Sequence, residues 1–152
     1  MEIQGIIEKI IKCQILIEYY EEQLEQKSNI RIESNLELIN IKMRDLLENF
    51  RFELLVGNLQ FNIIILGYLV KLIENSKQDV IASDICNYLK NITWENINDF
   101  ISQMTYEEFE DALSYVDHLI IKTENVEIKK EFERVYIAIS NSIINDTKPP
   151  CF

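Results

Sequence analysis

Proline is absent from residues 1 to 148, and glycine occurs in that run only at positions 5, 57 and 67. Both residues disfavour α-helices, proline because it lacks an amide donor and glycine because its backbone loses more entropy on folding. Apolar residues make up 47% of the chain and recur at the three- and four-residue spacing of an amphipathic helix. The sequence therefore predicts an all-α fold, a single compact bundle of about six to seven helices.

Isoleucine dominates the apolar residues, occurring 27 times against three alanines. It is a poorer helix former than alanine because its branched Cβ restricts the side chain. We therefore expect the helices to be stabilised mainly by packing against each other. At 152 residues the chain predicts one helical domain over 1–145, and the segment 146–152, with its two adjacent prolines, predicts a flexible tail.

The first helix is predicted over residues 2–27, where apolar side chains form an uninterrupted heptad seam. The seam consists of Ile3, Ile6, Ile10, Cys13, Ile17, Tyr20 and Leu24. Further apolar residues lie outside the seam, so this helix needs either a central position in the bundle or a second chain. A buried bundle helix is the favoured interpretation because the seam covers only about three heptads, and a dimer through helix 1 is the alternative.

A second apolar segment predicts a central helix around residues 59–73. Ten of the thirteen residues from 61 to 73 are apolar, which favours a helix buried on all sides. The segment is shorter than the ~20 residues that a membrane span needs, and it contains Lys71. We expect Gly67 to let a neighbouring helix approach closely.

Polar residues and glycine mark the expected helix ends. Residues 26–29 predict a turn. Helix 2 should begin at a capping box of Ser34 and Glu37 and end at Gly57, with Asn58 as the next N-cap. The later helices are expected to start at Ser76, Thr93, Thr105, and either Thr123 or Asn125.

The net charge of −11 argues against duplex DNA or an anionic membrane as a partner, because both would repel the chain. The three cysteines are too few and too scattered for a disulfide framework, which favours a reducing compartment. The first fourteen residues carry charges within the apolar stretch and do not fit a signal peptide. We therefore expect a cytoplasmic protein.

Residues that carry out catalysis are scarce. His118 is the only histidine, and its position off the apolar stripe of its helix predicts exposure to solvent. One histidine cannot supply a two-histidine zinc or di-iron site, and no glycine-rich phosphate loop, calcium loop or C-x-x-C pair occurs. The sequence thus predicts a protein that is not an enzyme and needs no cofactor or metal.

Negative charge is concentrated between Lys90 and Lys122, a stretch with seven acids and no lysine or arginine. The rest of the chain carries the other 19 acids and all 15 bases. Aromatic residues interleave with the acids, as in a surface that recognises a basic protein. The predicted partner-binding residues are Glu95, Asp99, Tyr106, Glu107, Glu108, Glu110, Asp111, Tyr115 and Asp117. A solvated helix face is an equally good interpretation of the acids, and the periodicity places Trp94 in the core.

These observations lead to one functional hypothesis and two alternatives. The leading hypothesis is a non-catalytic acidic helical protein that neutralises a basic protein partner, as an immunity protein, an antitoxin or a phage or viral antagonist does. The first alternative is a self-associating structural or regulatory protein that dimerises through helix 1. The second is mimicry of nucleic acid by the acidic face.

Overall fold

Seven α-helices account for most of residues 2–57, 61–76 and 79–144, which are the residues described by the structure, a computed structural model. They are α1 (Ile3–Gln26), α2 (Ile30–Arg51), α3 (Ile63–Asn75), α4 (Asp79–Lys90), α5 (Trp94–Ile101), α6 (Tyr106–Lys122) and α7 (Val126–Ile144). A π-helical turn, Phe52–Val56, extends α2. No β-strand occurs in these three ranges, so the prediction of a compact all-α bundle is confirmed.

One cluster of buried apolar side chains connects all seven helices. Phe50, Leu66 and Phe132 lie at its centre and are fully buried. Each fully buried side chain of this size stabilises the fold by about 2 kcal/mol. Trp94 packs against the cluster but remains half-buried, at its edge. Packing therefore offsets the modest helix propensity of the isoleucine-rich helices.

Helices α1 and α2 form an antiparallel hairpin, joined by the short turn at residues 27–29. The first half of the α1 seam, from Ile3 to Ile17, is buried against α2 and α3 within the same chain. Beyond Ile17 the hairpin extends past the core, because no residue from 18 to 42 is buried. The apolar side chains that α1 leaves exposed are Ile15, Leu16 and Tyr19.

The start of α2 differs from the prediction. The helix begins at Ile30 because the Asn29 side chain accepts a hydrogen bond from the Arg31 amide at 2.8 Å and caps it. Ser34 therefore lies inside the helix and is not its N-cap. At the other end Gly57 terminates the π-helical turn, as predicted, and its amide donates to the Phe52 carbonyl at 2.8 Å. Asn58 lies outside the described residues.

Three of the later helices begin at N-caps that the sequence predicts. Thr93 and Asn96 form a reciprocal capping box at α5, and the Thr105 hydroxyl accepts from the Glu108 amide at the start of α6. Asn125 accepts from the Ile128 amide in the first turn of α7. Thr123 instead ends α6, where its hydroxyl donates to the Leu119 carbonyl at 2.7 Å.

Helix α3 starts later than predicted and is not buried on all sides. Its N-cap is Asn62, which accepts from the Ile64 amide at 2.9 Å. Six of its side chains enter the core, but Ile64 is 58% exposed and Lys71 is also exposed. These two residues lie seven apart, on one side of a helix, so α3 presents an edge that no other described helix covers. Within the described ranges, none of the helices combines the length and apolar character of a membrane span.

Two polar contacts made by arginine side chains connect neighbouring helices at the edge of the core. The Arg51 guanidinium donates to both carboxylate oxygens of buried Asp84, at 3.0 and 3.2 Å, and so ties the end of α2 to α4. This ion pair raises the pKa of Arg51. On α7, the Arg134 guanidinium donates to the Leu89 carbonyl at the end of α4 and pairs with Glu131.

The Tyr88 hydroxyl is buried and has no hydrogen-bond partner among the described residues. Burial raises its pKa to about 12, above the value of 10 expected in an unfolded chain. The folded state therefore binds the phenolic proton more tightly. The stability that results is complete below pH 10 and is lost as the pH rises towards 12.

We predict that Tyr88→Phe removes this pH dependence. Between pH 10 and 12 the free energy of unfolding of the native chain should fall by about 2 to 3 kcal/mol more than that of the variant. At pH 7 the two should differ by less than about 1 kcal/mol, because the hydroxyl makes no bond that the variant loses. Urea unfolding of both proteins at pH 7, 10 and 12 measures these differences. Parallel pH profiles of the unfolding free energy would show that the hydroxyl is solvated.

Candidate partner-binding groove

Helices α3 and α6 lie side by side and run in the same direction. Near their N-termini, Ile63 and Ile64 share a cavity with Asp111 and Ala112. At their C-termini the Lys122 ammonium pairs with the Glu74 carboxylate at 3.5 Å. The helices are therefore parallel, and an α3 residue is level with the α6 residue 48 positions later, as in the Glu74–Lys122 pair.

Gly67 allows the close approach in the middle of this pair. A Cβ atom at position 67 would overlap the Tyr115 hydroxyl oxygen and would lie 2.9 Å from the Tyr115 Cζ atom. The ring of Tyr115 thus crosses α3 where that helix has no side chain. Gly67 was expected to let a neighbouring helix approach closely, and the group that lies against it is instead the end of a tyrosine side chain from α6.

The N-terminal halves of α3 and α6 are separated by an open groove of about 720 Å³, which we call the α3–α6 groove. This volume lies in the range of clefts that bind small molecules and cofactors. Its lining consists of Asn62, Ile63, Ile64, Phe100, Gln103, Met104, Glu108, Asp111, Ala112 and Tyr115. Most of these side chains are apolar, Glu108 and Asp111 supply negative charge, and none of these ten residues carries a positive charge.

Two smaller cavities lie on the same structure, and one of them adjoins the groove. One, of about 350 Å³, shares Phe100 and Gln103 with it and is also lined by Asp99. Phe100 is held there by an edge-to-face contact with Phe61, with ring centroids 5.4 Å apart. The other, of about 380 Å³, lies beside the Glu74–Lys122 pair, at the C-terminal ends of α3 and α6.

All nine predicted partner-binding residues are exposed, but they do not share one face. Glu108, Asp111 and Tyr115 are three, four and seven residues apart and line the groove together. Asp99 lines the adjoining cavity. The others line neither cavity and lie elsewhere on α5 and α6: Glu95, Tyr106, Glu107, Glu110 and Asp117.

Tyr106, Glu110 and Asp117 occupy the side of α6 that faces away from the groove. Tyr106 is 70% exposed, and its hydroxyl is hydrogen-bonded to Glu110, which raises the pKa of Tyr106. The Tyr106 hydroxyl therefore donates its one hydrogen to the Glu110 carboxylate. The pKa of Tyr115 is also raised, first by burial and then by the neighbouring Tyr68 hydroxyl.

The apolar side of the groove was not expected from the sequence. Ile64 was placed in a fully buried helix, and Phe100 and Met104 were not among the predicted site residues. One sequence signal indicates that Ile64 is exposed: it lies seven residues before Lys71, and this spacing places both residues on one, partly polar, side of α3. Phe100 and Met104 carry no local signal, because their place in the groove depends on how the α5–α6 connection packs on α3.

The described residues offer little nucleophilic or metal-binding chemistry. His118 is exposed, as predicted. Cys86 is buried, and burial together with the nearby Glu127 carboxylate raises the pKa of its thiol, which disfavours the reactive thiolate. Within the same ranges, no three His, Cys, Asp or Glu residues are grouped as metal ligands.

The comparisons with known proteins leave the groove as the main guide to function. No protein-family model matches the chain, and no curated protein or solved structure matches it significantly.

The contact between Gly67 and Tyr115 predicts that two substitutions are coupled. In a Tyr115→Ala background, Gly67→Ala should raise the free energy of unfolding by about 1 kcal/mol, the difference in helix propensity. In the native background the same change should give no such gain, because the new methyl group displaces the tyrosine ring. Thermal or urea unfolding of the four proteins measures the coupling free energy. Equal stabilisation in both backgrounds would contradict the contact.

Proposed function

We propose that this chain is a non-catalytic binding protein that neutralises a basic protein partner, in the manner of an immunity protein, an antitoxin or a phage or viral antagonist. The observation that supports the proposal is the α3–α6 groove, which combines exposed Ile64 and half-buried apolar side chains with a carboxylate-bearing rim. Ile64, Phe100 and Met104 provide apolar area to bury, and Glu108 and Asp111 provide the charge that selects a cationic partner.

The net charge of the whole chain, like the carboxylates on the groove rim, attracts a basic partner. A net charge of −11 attracts a basic protein from a distance, and salt weakens this attraction because the Debye length is only about 8 Å at physiological ionic strength. Association then proceeds in two steps. The acidic field brings the partner to α6, and burial against the groove floor slows its dissociation.

The proposal includes the cytoplasm as the location and excludes duplex DNA and anionic membranes as partners. Cys13 and Cys86 are free and buried, which suits a reducing compartment. The same negative charge that attracts a basic protein repels phosphate backbones and anionic lipids. No cofactor or metal has a role in the proposed mechanism.

The two sides of α6 provide a matched test. Glu108→Lys with Asp111→Lys reverses the charge in the groove, and Glu107→Lys with Glu110→Lys makes the same change in net charge outside it. Both pairs remove one acid from the first turn of α6, so their effects on the helix dipole are similar. We predict that the groove pair weakens partner binding by about a hundredfold and the control pair by less than about fivefold.

The partner for this test is obtained by cross-linking in the source cell, identified by mass spectrometry and purified. Association and dissociation rates are then measured for both variants at several salt concentrations. The native chain should associate more slowly as salt rises, and the groove pair should flatten this dependence. An acidic partner, or equal losses for both variants, would refute the proposed site.

Self-association is a second candidate function. It is favoured by the apolar side chains that the α1–α2 hairpin exposes, which include Ile15, Leu16, Tyr19 and Leu38. A homodimer would have to use this outer surface, because the first half of the α1 seam is already buried within the chain. Mimicry of nucleic acid is less favoured, since the acids of α6 point to several sides of the helix.

Sedimentation velocity at micromolar concentrations separates the first two functions. The neutralising protein is expected to sediment as a monomer of 18.0 kDa. A dimer that dissociates on Ile15→Glu or Leu38→Glu would favour self-association. These residues are exposed, so the substitutions leave the core of the monomer intact.

A further inference from the structure

We propose that the α3–α6 groove binds an amphipathic helix of the basic partner, with apolar residues on the buried side and lysine or arginine residues one helical turn apart. This inference rests on the proposed function and specifies the form of the partner segment.

The groove is a gap between two parallel helices, which is where a third helix packs. Its α6 wall extends from Glu108 to Tyr115, where the Tyr115 ring reaches Gly67 of α3. Seven residues of α-helix rise about 10 Å, so the groove accommodates two turns of a bound helix. Ala112, on the same wall, has a small side chain that permits close packing.

Backbone hydrogen bonding also favours a helical partner segment over an extended one. An extended segment binds most strongly where a sheet edge offers free amide and carbonyl groups. Two of the groove walls are the helices α3 and α6, whose interior backbone groups are paired along the helix, the α5–α6 connection adds Gln103 and Met104, and most lining side chains are apolar. A helix satisfies its own backbone hydrogen bonds and loses none when its apolar side meets such a surface.

The charges on the rim set the spacing of the cations. Glu108 and Asp111 are three residues apart and lie on the same side of α6, separated by about one turn. A helix lying along α6 presents two basic residues at the matching distance when they are three or four positions apart. Its apolar residues, at positions i, i+4 and i+7, then face Ile64, Phe100 and Met104.

Designed peptides test this proposal on the intact protein. The first peptide has about fifteen residues, with leucines at i, i+4 and i+7 and lysines on both flanks of that stripe, and the second has the same composition in a scrambled order. Binding is followed by amide chemical shifts of the protein and by the circular dichroism of the peptide. We expect the patterned peptide to become helical and to shift the amides of residues 62–67 and 104–115.

Three protein variants locate the binding site. Ile64→Gln and the pair Glu108→Lys with Asp111→Lys should each weaken binding of the patterned peptide by about tenfold or more. Ile121→Gln is the control, since Ile121 is 73% exposed and does not line the groove, and it should change binding by less than about twofold. Because Ile64 is also exposed, its replacement leaves the fold intact.

Several results would overturn the proposal. Equal affinity for the scrambled peptide, binding without helix formation, or shifts centred on the α1–α2 hairpin would each do so. Measurements with the natural partner distinguish a failure of this inference from a failure of the proposed function. If the partner requires Glu108 and Asp111 but no helical segment of it protects the groove from hydrogen exchange, the bound helix is wrong and the neutralising function stands. If the partner binds without these acids, the proposed function fails.

Discussion

The close approach of the Tyr115 ring to Gly67 determines how α3 and α6 lie beside each other. A side chain at position 67 would push the two helices apart or displace the ring. With glycine there, the Tyr115 ring lies across α3. The Glu74–Lys122 pair joins the C-terminal ends of the same two helices. The α3–α6 groove lies towards their N-terminal ends, and Tyr115 is part of its lining.

The burial of apolar side chains explains the stability of the bundle, and its incompleteness on α3 explains the apolar part of the α3–α6 groove. Isoleucine-rich helices gain little from propensity, so each must cover its apolar face with a neighbour. Helices α1 and α7 also leave apolar side chains exposed, such as Ile15 and Ile137, but Ile64 of α3 is exposed within the α3–α6 groove. An apolar side chain left in water gains free energy when a partner buries it. The acids of α6 border that position and make a cationic partner the favourable one.

The helices and several of their ends were predictable because they depend on local chemistry. The Thr93 cap, the Thr105 cap and the stop at Gly57 each involve residues only a few positions apart. The start of α2 was wrong because Asn29 and Ser34 are both good caps, and the sequence does not rank them. The exposure of Ile64 and the separation of Glu108 from Glu107 depend on how distant helices pack, which single-sequence periodicity does not determine. The Arg51–Asp84 pair joins residues 33 positions apart and was missed for the same reason.

The parallel pairing of α3 and α6 at Gly67 is the central structural claim, and proton–proton contacts in solution test it most directly. In a nuclear Overhauser spectrum of the labelled protein, the ring protons of Tyr115 should give strong cross-peaks to the Gly67 Hα protons and weaker ones to Ile64 or Tyr68. Cross-peaks from the Tyr115 ring only to residues of its own helix would contradict the pairing, and the groove would then lose one of its walls.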